Sequence, residues 1–442
     1  MSSKRSPRRV GHQLVSHDIR VAHGPVRRRR IVYIAGYDPR PPEGAKYDLL
    51  KREAARYCKD RPVDFTISDV EHAPDAMSAC WTLSLAGEGW RSEAEYLFLR
   101  WDDIVARDFA RSFPERLLRS LVTLADYLAS GTVWRMGRIF HRTLMLWPYP
   151  FVALAAIVAA AIAGGFGAGS LLSGFGAGTW LSLAGGVLAA GAIACAGALL
   201  TRRTFIQHLA DLWCFCRDFA ISRRPDMEER CDLFADRILE AVRRDDVDET
   251  LLIGHSYGCM MIVEAVARAL DRDEQAFETG APVGVITLGS CIDTSTLHPR
   301  AHARKAAVRR VAQSDKLLWA EIQGRQDMIN FYLDDPGVAA GLPDDSQRPN
   351  PVVRVLTLLE VLGTANYRRF QMNYFRLHYQ TICANDRSHP WDYLLTVAGP
   401  DSLAERIAFW HWQLRWRDSE YYASVPVPVL SAFHKPWRDL ST

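Results

Sequence analysis

Residues 254–258 read Gly-His-Ser-Tyr-Gly. A serine with glycine two places before and two places after it can ride a turn too sharp for side chains at those positions, so that Oγ projects clear of the backbone. Its hydroxyl is too weakly acidic to attack an ester unaided; it needs a general base, and the base needs an acid to orient it. Downstream, Asp327 stands at the end of the strand-like run KLLWAEIQG and is favoured as the acid, with Glu321 inside that run and Asp293 after ITLGSCI as alternatives. His378 and His389 are the only histidines between Asp327 and the C-terminal aromatic helix; His378 is the favoured base and His389, followed by Pro390, the alternative. An anionic tetrahedral intermediate would need two preorganised N–H donors, each worth about 3 kcal/mol. One is the backbone N–H of Tyr257; the other is expected from the loop at Gly36 and Tyr37, where Asp38 must point away from an oxyanion.

Positioning these groups takes strands that end at one edge. Thr250 to Ile253 is an apolar strand before the motif and Cys259 to Leu270 a helix after it, the context in which such a serine is presented. Ile31 to Ala35 is apolar throughout, as a strand covered on both faces would be, and Gly36 and Pro39 break it. The next segment has helical spacing, with Tyr47, Leu50 and Ala54 on one face. Phe65–Val70, Cys80–Leu85, Val283–Leu288 and a run around Lys316–Ile322 read as further strands, EYLFLRWDDIVARDF continues into a helix, and NYFRL before His378 is strand-like. Strands alternating with helices predict an α/β fold with a mostly parallel sheet flanked by helices.

The 442 residues carry 54 Lys/Arg against 51 Asp/Glu, but the small excess is not spread evenly. Residues 1–30 hold nine basic residues and one acid, Asp18, which leaves the remainder net acidic. That argues against a nucleic-acid partner and for a basic, poorly ordered tail attracted to anionic headgroups. Between Arg142 and Arg202 there is no charge at all, a stretch of 59 residues. A helix needs about 20 apolar residues to cross a bilayer core, so residues 143–201 predict a transmembrane hairpin, with helices near Trp147–Gly167 and Thr179–Leu200. The two GFGAG copies, at 165–169 and 174–178, are read as a flexible apolar turn between them. Small residues at Gly185, Gly186, Ala189, Ala190 and Gly197 favour close helix pairing, within the hairpin or in a homo-oligomer. Arg135, Arg138, Arg142, Arg202 and Arg203 flank the hairpin and its loop has no charge, which puts both soluble parts on the cytoplasmic side.

The hairpin therefore divides one soluble domain into residues 31–142 and 202–400. Residues 401–442 follow as an aromatic-rich helix and tail, whose Phe409, Trp410, Trp412 and Trp416 suit either a headgroup interface or packing on the body. Nine cysteines, with Cys214 and Cys216 the only close pair, fit reduced thiols in a reducing compartment.

The GHSYG elbow, the early IAGYD strand and turn, and the order Ser256, Asp327, His378 resemble the α/β-hydrolase superfamily, specifically its membrane-anchored bacterial esterase- or lipase-like members. The resemblance covers Ile31 to about Trp101 and about Phe205 to Pro400. It implies hydrolysis of an ester or thioester through an acyl-enzyme with no cofactor or metal, and an inner-membrane location that favours lipid-like substrates. The competing expectation, from a different class, is a membrane scaffold that keeps the fold without turnover.

Overall fold

The computed structural model of the chain describes residues 19–22, 24–140, 143–344 and 348–415. Its centre is a nine-stranded sheet: β1 (Arg28–Ile34), β2 (Val63–Ile67), β3 (Glu71–His72), β4 (Ser78–Gly87), β5 (Trp90–Leu99), β6 (Glu249–His255), β7 (Val283–Leu288), β8 (Leu318–Gly324) and β9 (Val352–Leu356). The spatial order is β2-β4-β5-β1-β6-β7-β8-β9, with β3 on β4. From β5 to β9 every neighbouring pair is parallel, while β2, β3 and β4 add an antiparallel edge.

Alternate residues feed two cores, one on each face. Val32, Ile34 and Leu252 pack on one side with Phe215, Phe234 and Met260. Ile31, Tyr33, Leu251 and Ile253 pack on the other with Leu50, Trp391 and Ile407. This period of two between covered faces is why the central strands read as unbroken apolar runs.

Two strands of the sheet differ from expectation. Trp90–Leu99 is a strand, joined to β4 through a tight turn at Gly89 (φ +76°), and only after it does α2 (Asp102–Phe109) begin. Strand β1 starts at Arg28, three residues inside the stretch read as tail. Arg29 is fully buried, bonded through Nε to Glu249 Oε2 at 2.8 Å and donating to the carbonyls of Gly399 and Asp401. Arg30 pairs with Glu95 at 2.6 Å. These arginines are absorbed by the sheet because acidic partners sit on the flanking strands; residues 1–18 lie outside the described residues.

The helices before the second half of the sheet are α1 (Asp48–Cys58), α2, α3 (Phe113–Ala129), α4 (Thr132–Ile139), α5 (Thr143–Leu146), α6 (Tyr149–Gly174), α7 (Thr179–Arg203), α8 (Ile206–Ala220) and α9 (Pro225–Val242). Helices α6 and α7 are long and apolar enough to cross a membrane, and few of their residues are buried. The first GFGAG lies inside α6, and only Phe175–Gly178 connect the pair. The glycines are tolerated there because they form the helix contact. A Cβ on Gly165 would stand 3.0 Å from Ala190 Cβ and from Gly186 O, and one on Gly186 would stand 2.8 Å from Gly165 O. Gly197 likewise abuts Ile157, so these small residues are used within the hairpin.

All nine cysteines are free thiols. In the C-terminal helix Leu403–Arg415, Trp410 is buried against Trp391 and His389, which is packing on the body. The Trp412 side chain and Trp416 lie outside the described residues.

Candidate active site

Strand β6 delivers Ser256 at φ +56°, a left-handed conformation that non-glycine residues rarely adopt, and α10 (Gly258–Arg272) starts two residues later. The flanking glycines are required by contact. A Cβ on Gly254 would lie 2.6 Å from Gly258 O, and one on Gly258 would lie 2.5 Å from the carbonyl oxygens of both Ile34 and Ala35. The elbow is therefore wedged against the end of β1. The Ser256 N–H donates to Leu288 O at 2.9 Å, tying it to the end of β7 as well.

Asp327 follows β8 and is fully buried. Its Oδ1 accepts from the Ile329 N–H at 2.8 Å and its Oδ2 meets His378 Nδ1 at 2.7 Å. A carboxylate can only accept, so Nδ1 carries a proton, and in the neutral ring Nε2 then holds the lone pair that a base requires. Nε2 is buried and has no hydrogen-bond partner among the described residues. Ser256 Oγ has Cys291 Sγ at 3.8 Å and is not bonded to Nε2. Such contacts are commonly long before substrate binds.

His378 closes a short helix, Tyr374–His378, where a strand-like run was expected. Asn373 accepts from the Arg376 N–H at 3.0 Å and starts the turn. Gly289 (φ +56°) makes room for the imidazole: a Cβ there would stand 2.9 Å from His378 Cε1.

The alternatives are placed elsewhere. His389 Nδ1 accepts from the Trp391 N–H at 3.0 Å, its ring packs on Trp410, and it takes no part in the cavity at Ser256, because the chain at Pro390–Trp391 folds it back onto the body. Glu321 bonds to Thr287, and Asp293 accepts from Thr296; neither meets His378. Burial pushes the Glu321 carboxyl up to about 8 and raises that of Asp293. The folded protein then holds a proton on Glu321 that an unfolded chain releases above about pH 4.3. Its contribution to stability is complete below that pH and is lost as pH rises through about 8. Melting curves of detergent-solubilised protein should fall more steeply between pH 5 and about 9 than those of Glu321→Gln, and equal slopes would contradict the assignment.

The loop after β1 passes directly over the nucleophile: a Cβ on Gly36 would be 3.0 Å from Ser256 Cβ and 3.4 Å from Oγ. Among the described residues no acceptor takes the N–H of Tyr257 or Tyr37. The Tyr37 hydroxyl donates to Asp108 at 2.8 Å and its ring packs on Trp101 and Phe215, which fixes the loop from behind. Asp38 is held by the Arg40 guanidinium, with Nε 2.9 Å from Oδ1, so its charge is matched locally.

A cavity of about 390 Å³ joins these parts, lined by Ser256, His378, Gly36, Tyr37, Asp38 and Arg40, with an apolar wall from Phe109, Phe205, Leu209, Leu212, Ile329 and Phe375. Two histidines not anticipated from the sequence border it. His255 lies beneath His378 with ring centroids 4.9 Å apart, and burial, with His378 and Lys46 nearby, holds it far below its usual range. His208 on α8 is pushed down to about 4 by burial among Tyr37, Phe109 and Phe375. Both are neutral at pH 7. His255 was open to notice as the variable residue of the motif, but nothing in the spacing marks His208.

Among the described residues no group of His, Cys, Asp and Glu side chains is arranged to hold a metal ion. No family model, curated protein or solved structure matches the chain.

Proposed function

We propose that the chain is a membrane-anchored serine hydrolase of the α/β-hydrolase kind, cleaving a carboxylic ester or thioester through an acyl-enzyme. The observation that carries this reading is the strained elbow placing Ser256 on the same cavity as a His378 whose Nδ1 is already engaged by Asp327. In the proposed cycle Ser256 Oγ attacks the acyl carbon while His378 Nε2 takes its proton; the carbonyl oxygen becomes an oxyanion facing the Tyr257 and Tyr37 N–H groups. Collapse breaks the bond to the leaving group, which receives the proton from Nε2. Water then attacks the acyl-enzyme by the same route, releasing the acid and restoring Ser256.

Labelling of detergent-solubilised protein by a fluorophosphonate tests this reading against a scaffold without turnover: wild type should be labelled and Ser256→Ala should not. Labelling that persists in the variant, or none in wild type, would reject Ser256 as the nucleophile.

The anchor is the α6–α7 hairpin, with the hydrolase domain on the cytoplasmic side of a bacterial inner membrane. Ala159 is exposed near the middle of α6. Ala159→Arg should impair insertion, since Arg at a helix centre costs about 2.5–3.5 kcal/mol and the Ala-rich span has little apolar surplus to offset it. The check is the fraction recovered with membranes after carbonate extraction; full retention would reject this placement of the span.

A further inference from the structure

Helix α3 is built inside out. The residues it buries include Arg116, Ser120, Thr123 and Tyr127. From Arg116 to its end, those it exposes on the opposite side are Leu118, Leu121, Val122, Ala125, Leu128 and Ala129, spaced i, i+3, i+4, i+7, i+10 and i+11, while Pro114 and Glu115 are exposed in the first turn. Leu118 is 63% exposed and Leu121 54%. Three of these polar groups have partners inside: Arg116 Nε reaches both oxygens of Asp211 at 2.9 Å, Thr123 donates to Cys214 Sγ, and the Tyr127 hydroxyl donates to Thr294 O. A helix with water on its outer face would place these two sets the other way round.

The position of α3 says what covers that face. Near its start, Phe113 and Leu117 pack in one cluster with Leu154 of α6. Ten residues on from Leu117, Tyr127 stacks on Trp147, which in turn packs on Phe151 of α6. Both contacts fall at the N-terminal end of α6, Trp147 just before it and Leu154 in its second turn, so α3 packs against the foot of the hairpin. If α6 runs through a bilayer, α3 stands at the level of its foot, and Leu118, Leu121 and Leu128 face outward there.

The cavity opens in the same place. Phe205 follows α7 by two residues; at φ +58° it turns the chain into α8, and its half-exposed ring stacks on Phe375 at 4.3 Å. Both rings line the cavity that holds Ser256, and Leu209 of the same wall packs in one cluster with Trp147 and Phe151.

We propose that the exposed face of α3 beds in the lipid bilayer beside the hairpin and holds the Phe205–Phe375 mouth against the acyl chains, so that the substrate is an ester- or thioester-linked acyl lipid taken from the membrane; the substrate assignment rests on the serine-hydrolase reading above. The test uses full-length protein in vesicles of phosphatidylcholine and phosphatidylglycerol. A spin label on Leu121→Cys should be relaxed by oxygen dissolved in the bilayer and shielded from an aqueous nickel chelate, whereas one on Glu229→Cys, on an exposed position of α9, should show the reverse. In parallel, Leu118→Asp combined with Leu121→Asp should lower turnover of vesicle-borne p-nitrophenyl palmitate roughly ten-fold or more, the equivalent of about 1.4 kcal/mol, and leave soluble p-nitrophenyl acetate unchanged. Equal aqueous access at both labels, or spin–spin broadening between protomers at position 121, would overturn the proposal; the latter would mean that a second copy covers the face. Equal losses on both esters would overturn the membrane route to the site. A wild type that cleaves neither ester defeats the hydrolase reading and the substrate assignment with it, while the label at 121 still decides the lipid contact.

Discussion

Replacing Ser256 by Ala is expected to lower ester turnover by up to about a million-fold in kcat, the scale on which triad nucleophiles act. The size of the effect follows from the geometry. Asp327 and His378 are bonded at 2.7 Å and the Gly36 loop lies against Ser256, so in the proposed mechanism each of these groups acts on Ser256 Oγ. Removing that atom leaves the N–H donors of Tyr257 and Tyr37 to orient a carbonyl that nothing attacks. The fold should be unaffected, because Ala at φ +56° meets the same backbone conformation as Ser and the backbone bonds of the elbow are retained. The measurement is kcat on a chromogenic short-chain ester for pure wild type and variant, with melting temperature as the fold control. Undiminished hydrolysis in pure Ser256→Ala would remove Ser256 from the chemistry.

The second large effect is expected at the base. His378→Ala should fall nearly as far as Ser256→Ala, and Ser256→Ala combined with His378→Ala should be little worse than either alone, since the two act on one proton. Asp327→Asn should lower kcat by about ten thousand-fold by a different route: an amide NH₂ facing Nδ1 would favour the tautomer in which the proton sits on Nε2, where it can no longer accept from Ser256. His389→Ala should leave turnover unchanged, since that ring is bound to Trp391 and Trp410. A loss at His389 with none at His378 would reassign the base.

Much of the site is legible in the sequence because local chemistry dictates it. Gly254 and Gly258 have to be glycine where a strand turns into a helix against another backbone, and the approach of Gly258 to the carbonyls of Ile34 and Ala35 is the physical content of that pattern. The apolar run of β1 is set by the packed cores on both faces of the sheet, and the two uncharged spans are helices long and apolar enough to cross a membrane. Asp327 is marked by its place at the end of an apolar strand, and His378 by its place after it.

Long-range contact decided the rest. The sequence favours His378 over His389 without excluding the second; Asn373 capping a short helix and Gly289 vacating space set His378 beside Asp327, while Pro390 and Trp391 fold His389 away. Arg28, Arg29 and Arg30 read as a charged tail because charge argues for solvent, but Glu249 and Glu95 on strands β6 and β5 draw Arg29 and Arg30 into the sheet. The first GFGAG reads as a turn because glycine disfavours helix by about 1 kcal/mol per residue, and packing against Gly186 and Ala190 outweighs that preference. Helix α3 shows the same division most plainly. Its amphipathic period is fixed by the order of its residues, but which side faces inward depends on Asp211, Cys214 and Thr294, which arrive from far along the chain and claim the polar side, leaving Leu118, Leu121 and Leu128 outside.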